Sequence, residues 1–315
     1  MTLYLVLREW IKIDINKNLL SLNPNAIEYL KKNQYKINWS QLSANPNAIK
    51  LLEENQEKID WDNLSGNTEA IKLLEKNQEK IDWYELSGNP NAIEILKENQ
   101  EKIYWNELSY NPNAIEILKK NLDKINWDNL SANPNANEIL KENSDKINWG
   151  QYSDISSDID FLMKNYNNID WNNLSSNPNA IKILKENQDK IDWDMLSSNP
   201  NAIEILKNNL DKVNWTQLSG NINAIEILKE NQDKIDWYEL SANPNAIEIL
   251  KENQDKIYWY ELSYNPEIFT YDYVKIKKDF EEVGEEIIAK ALHPNRLFTL
   301  MKKYDKNEVY NTYFM

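Results

Sequence analysis

Cysteine is absent from this chain of 315 residues, which excludes disulfide frameworks, cysteine-containing zinc sites and thiol nucleophiles. Histidine occurs once, so neither a histidine-rich metal site nor a repeated histidine-based catalytic centre can be assembled. Glycine occurs five times, and neither GxGxxG nor GxxxxGK[ST] is present, which removes the phosphate-cradling loops of nucleotide enzymes. No apolar run approaches the ~18 residues of a membrane-spanning helix. The start, Met1 to Leu7, lacks a basic segment and a small-residue cleavage site, which argues against a signal peptide. Basic residues number 36 and acidic ones 51, a net charge of −15 that makes a poor polyphosphate binder.

What the chain has is tryptophan at a fixed period. It stands at 39, 61, 83, 105, 127, 149, 171, 193, 215, 237 and 259, every interval 22 residues, and only Trp10 lies outside the register. With tryptophan as position 1, a typical unit is Trp237-Tyr-Glu-Leu-Ser-Ala-Asn-Pro-Asn-Ala-Ile-Glu-Ile-Leu-Lys-Glu-Asn-Gln-Asp-Lys-Ile-Tyr258. A first unit begins at Lys17, where Leu20, Ser21, Asn23-Pro-Asn-Ala26 and Ile27 hold the register. That makes about 12 units between residues 17 and 270, without insertion or deletion.

Each unit carries two helix signals. Asn89-Pro90 pairs an N-cap with a residue favoured in the first turn, and Ala92 to Asn99 then reads as a helix of about ten residues. Its apolar face is Ala92, Ile93 and Leu96, with Ile95 beside them. Asn at position 17 fits a left-handed C-cap, and the asparagine columns at 7, 9 and 17 are expected to satisfy helix-end backbone groups and to bridge neighbouring units. A shorter α or 3₁₀ helix starts at tryptophan behind a capping Asp or Asn at position 22, as in Asp82-Trp83. Neither helix can bury its apolar face alone, and stacking identical pairs creates one continuous core. The expected fold is therefore all-α: a solenoid of about 12 stacked helix pairs, elongated and monomeric, with the tryptophans in its core. Residues 1–16 and 271–315 are expected to cap the solenoid of residues 17–270, the latter with helices over 271–280, 284–292 and 295–304. The unit at 149–170 is degenerate: it loses Asn-Pro-Asn-Ala but keeps Ile159, Phe161, Leu162, Asn165 and Ile169 in register. It reads as drift in a tolerant repeat, with a local bend or binding site as the alternative.

Catalytic readings are weak. Glu94, Glu98 and Glu101 recur along the stack with lysines between them, which describes a solvated face rather than an acid–base pair. Ser65, Ser87 and Ser109 at position 5 suit a helix end, and His293 has no identifiable catalytic partner. No catalytic, cofactor-binding or metal-binding residue is assigned.

Information in a repeat protein lies where the units differ. Position 22 becomes Tyr104 and Tyr258, and position 6 of the following unit becomes Tyr110 and Tyr264. Tyr84, Tyr238 and Tyr260 add aromatics at position 2. The two clusters stand seven units apart and form the candidate interaction surface, since tyrosine is enriched at interfaces. A duplication carrying neutral changes is the alternative, because Ile81 to Asn113 and Ile235 to Pro266 are near copies.

The whole chain resembles a repeat family of giant DNA viruses, mimivirus-like viruses among them. The resemblance rests on Leu7-Arg-Glu-Trp10, the recurring Trp-x-x-Leu-Ser-x-Asn-Pro-Asn-Ala-Ile-x-x-Leu, Asn265 to Tyr273 and Glu286 to Arg296. It implies a viral origin and supplies no activity, cofactor or catalytic residue. The unit is also similar, more distantly, to the leucine-rich repeat variant, which implies a right-handed superhelix. The resulting expectation is a non-catalytic scaffold or adaptor in the host cytoplasm, with a protein partner and without nucleic acid or membrane. The alternative is a structural component of the virion.

Overall fold

The computed structural model describes residues 5–11 and 16–278. The repeats occupy a body formed by Arg8–Ile268. In every unit a short α-helix begins at position 1, for example Trp83–Gly88. Asp82 starts it, its carboxylate accepting from the Glu85 N–H at 3.0 Å. A tight turn follows at the Asn-Pro pair, then an α-helix such as Ile93–Glu98, then a 3₁₀ turn such as Gln100–Lys102. The longer helix expected from Asn-Pro is thus a composite, with α geometry confined to its middle.

The asparagine at position 17 does not adopt the left-handed conformation. Asn99 sits at φ −130°, ψ 50°, and among the described residues no side-chain-bearing residue has positive φ. Its amide instead donates to the Ile95 carbonyl at 2.9 Å, closing the helix end by a side-chain bond.

The core is a set of columns. Leu86, Ala92 and Leu96 are fully buried, and their equivalents recur along the stack. Position 5 serine and position 7 asparagine lie among them, also buried. Ser87 donates to the Trp83 carbonyl at 2.7 Å and accepts the Tyr104 N–H at 3.0 Å, tying the start of its unit to the end. Asn89 donates to the carbonyls of Ser65 and Asn67, at 3.0 and 3.1 Å, in the preceding unit. Its carbonyl oxygen accepts the Asn91 N–H at 3.0 Å, so one buried amide satisfies three backbone groups. The asparagine column is a hydrogen-bonded spine, with directional bonds that fix each unit on the last.

The tryptophans are not in this core. All eleven in the register are half-buried. In nine units the position 20 lysine lies over the tryptophan ring, as Lys102 does over Trp83 at 4.5 Å. Leucine at position 4 fills the space that the larger ring was expected to take. Tryptophan shields the helix pair from outside, with its face covered by a cation–π contact.

The stack does not end in an open unit. Asn23 donates to the carbonyls of Ser263 and Asn265 at 3.3 and 3.0 Å, repeating the bonds that Asn45 makes to Ser21 and Asn23. Asn25 donates to Pro266 as Asn47 does to Pro24. The Asn16 N–H donates to Ser263 as that of Asn38 does to Ser21. The Arg8 N–H donates to the Ile268 carbonyl at 2.9 Å and the Ile11 N–H to the Arg8 carbonyl at 3.0 Å. Those are the bonds that positions 14 and 17 make in an ordinary unit, as at Leu96 and Asn99. Trp259–Ile268 therefore supply positions 1 to 10 of a twelfth unit, with Arg8 at position 14, Ile11 at position 17 and Asn16 at position 22. The repeats close on themselves, which replaces the open, elongated stack expected from the period alone. Arg8 reinforces the joint: its Nε donates to the Glu267 carbonyl at 2.7 Å and its guanidinium lies 3.8 Å from the Glu267 carboxylate.

Eleven of the twelve joints carry the asparagine pair of bonds. The exception lies between the units at 127–148 and 149–170, where position 7 is Ile155. There Tyr152 takes the place of the buried leucine, and its hydroxyl donates to Asn137 at 3.0 Å. Asn137 itself stands where neighbouring units have isoleucine, so a larger residue on one side faces a polar one on the other. Lys141 forms an ion pair with Asp158 and lies over the Phe161 ring. The degenerate unit is thus repacked in a coordinated way. Tyr152→Leu alone or Asn137→Ile alone is expected to cost about 1–3 kcal/mol, through a cavity or overpacking. The double variant, which restores the ordinary pair, should recover most of that loss in a denaturant double-mutant cycle.

The Lys141 ammonium, first by hydrogen bonding, holds the Asp158 carboxyl below the usual carboxylate range. Its contribution is complete above the unfolded value near pH ~4 and is lost as pH falls through the lower folded value. Acidification below that range should therefore accelerate hydrogen exchange at this joint before the asparagine-bonded ones.

The second described body contains Leu5–Leu7 and residues 269–278. Leu5–Leu7 pairs antiparallel with Phe269–Tyr271, Leu7 opposite Phe269. Residues 273–278 are helical. His293 and the helices expected beyond residue 280 lie outside the described residues.

Candidate interaction surface

All seven tyrosines singled out by the sequence are exposed: Tyr84, Tyr104, Tyr110, Tyr238, Tyr258, Tyr260 and Tyr264. Positions 2 and 22 of one unit are neighbours in space. In ordinary units they hold polar pairs, such as Asn126 donating to Asn106 at 3.2 Å and Asn148 donating to Asp128 at 2.9 Å. In two units the polar pair is replaced by two tyrosines. Tyr84 and Tyr104 meet edge to face with ring centres 5.6 Å apart, and Tyr238 and Tyr258 do the same at 5.6 Å. Tyr110, Tyr260 and Tyr264 lie outside these pairs, on the units that follow.

The replacement breaks a local rule. Tyr104 and Tyr258 stand where Asp82 or Asn126 accepts a first-turn N–H, and neither supplies a side-chain cap. A missing cap costs about 1 kcal/mol. The aromatic pair returns a comparable amount at most. Tyr104→Asp, which restores the cap and loses the pair, is therefore expected to shift stability by no more than about 1 kcal/mol in a thermal melt. A loss above about 2 kcal/mol would show that Tyr104 is a packing residue.

The first pair borders a groove, and Tyr258 of the second pair borders another. One, of about 500 Å³, is lined by Ile81, Asp82, Trp83, Tyr84, Glu101, Lys102, Ile103 and Tyr104. The other, of about 530 Å³, has the matching residues Ile235, Asp236, Trp237, Asp255, Lys256, Ile257 and Tyr258. Hydrogen bonding to Glu107, more than nearby charge, raises the Tyr84 phenol above its ordinary pKa, and Glu261 acts likewise on Tyr238. Both phenols therefore stay neutral at physiological pH, each beside a carboxylate. The lysine on tryptophan and these carboxylate acceptors were not apparent from the sequence. The lysine column has a 22-residue period, but its place over the ring depends on the fold of the 3₁₀ turn.

Among the described residues no cluster of metal-ligating side chains is present, and no helix is long and apolar enough to cross a membrane. The features above define an all-α repeat solenoid whose candidate surface is a pair of aromatic grooves. Comparison with protein-family models, curated proteins and solved structures finds no match to this chain.

Proposed function

We propose that the chain is a non-catalytic protein-interaction scaffold of viral origin, working in the cytoplasm of the infected cell. Two exposed tyrosine pairs, each with one member standing where the repeat otherwise places a helix cap, carry this reading. A duplication accounts for the likeness of the two pairs, but not for the use of a residue that costs the helix its cap. Closure supports an adaptor over a packing rod, because a closed course of repeats offers no free unit for end-to-end growth. The body is a hydrogen-bonded frame, and tyrosine lends contact area at low entropic cost.

The test is affinity purification of the full chain from infected cells, beside Tyr104→Asp/Tyr258→Asp. The double variant should keep its helicity and lose the proteins that accompany the wild type. Undiminished recovery would overturn the proposed edge. Stoichiometric abundance in purified particles would favour a virion component instead.

A further inference from the structure

We infer that each tyrosine groove receives a basic, arginine- or lysine-bearing segment of a partner protein. This rests on the scaffold reading and names the chemistry its surface selects. Asp82 and Glu101 line the first groove against one lining cation, Lys102, and Glu85 and Glu107 lie beside its Tyr84. That ammonium is already engaged over Trp83 at 4.5 Å. The second groove repeats the balance, lined by Asp236 and Asp255 against Lys256, itself 4.6 Å from the Trp237 ring centre, with Glu239 and Glu261 beside Tyr238. An anionic ligand would meet excess like charge, whereas a guanidinium or ammonium gains both carboxylates and an aromatic face. The body's net acidity steers the same class of ligand towards it.

The aromatic face is held ready. Tyr84 stands edge-on to Tyr104 with Glu107 beside its hydroxyl, and Tyr238 stands edge-on to Tyr258 with Glu261 beside its own. A preordered pair loses little side-chain freedom when a cation arrives. The preceding unit is an internal control. It keeps the same tryptophan and lysine, Trp61 and Lys80, but has Asp62 and Asp82 at the pair positions. It therefore offers charge without the aromatic pair.

Calorimetry on the full chain tests this with a capped Arg-Gly repeat peptide, its lysine counterpart and its glutamate counterpart. The basic peptides should bind at two equivalent grooves per chain and weaken with salt, while the glutamate peptide should not bind. Tyr104→Asp should weaken one groove about tenfold, and adding Tyr258→Asp should do the same to the other. This substitution adds a carboxylate, so general attraction to an acidic surface would strengthen. Unchanged or tighter binding in the aspartate variants would overturn the inference, as would binding of the glutamate peptide. If the basic peptides fail to bind while the double variant still loses its co-purifying proteins, the ligand class is wrong and the scaffold stands. If they bind as expected but co-purification is unaffected, the groove chemistry stands and the scaffold reading fails.

Discussion

Asn199→Leu is expected to cost more stability than Trp127→Ala, although tryptophan is the larger residue by far. Asn199 is buried, and its amide donates to the carbonyls of Ser175 and Asn177, each at 3.0 Å. Its oxygen accepts the Asn201 N–H at 3.0 Å. Leucine keeps the branched shape, is somewhat larger, and removes all three bonds. Each buried backbone group left without a partner costs about 1–3 kcal/mol, and the Asn201 N–H can turn in part to water, so the total is about 3–5 kcal/mol. Trp127 is half-buried and covered by Lys146 at 4.4 Å. Truncating it would cost about 3–5 kcal/mol in a packed core, but at this exposure about 2 kcal/mol is expected. Denaturant unfolding of the two variants, with hydrogen exchange to locate the loss, checks the order. The reverse order would return the tryptophans to the core and reduce the asparagines to decoration.

The reason for that order explains what the sequence disclosed. Spacing revealed the unit, because a slip of one residue would turn every apolar helix face away from the core. Caps were legible for the same local reason: Asp82 and its equivalents do what their position implies. Position 7 asparagine read as a helix-end residue that also bridges units, and it is both, through Asn91 and through bonds to residues 22 and 24 earlier. Which carbonyls it meets was not legible, because no local rule points across that distance. Tryptophan misled because its size suggests burial, while the packing space belongs to Leu86 and its equivalents. The tyrosine pairs were legible as departures from a period. Their geometry was not, since it depends on positions 2 and 22 meeting when the unit folds back on itself.

Closure left a trace of its own in the sequence. The C-terminal part of the repeat stops at position 10, and the segment before Lys17 is long enough to supply positions 14 to 22. Whether the two halves meet depends on the rotation accumulated over twelve units, which a period alone does not give. Asn23→Leu puts this to a sharp test. In an open stack Asn23 would belong to the first unit with no unit before it, and its amide would face solvent. Its replacement would then be nearly free, as surface substitutions usually are, within about 0.5 kcal/mol. In the closed body Asn23 is buried and bonds Ser263 and Asn265, so the cost should approach the roughly 3–5 kcal/mol of an internal joint. The loss should also appear at both ends of the chain. Hydrogen exchange should quicken around Leu19 and Leu20 and, equally, around Leu262 and Ser263, some 240 residues away. A change confined to the first unit would mean that the joint does not carry load. Matching changes at both ends would establish the twelfth unit as one built from the two ends of the chain.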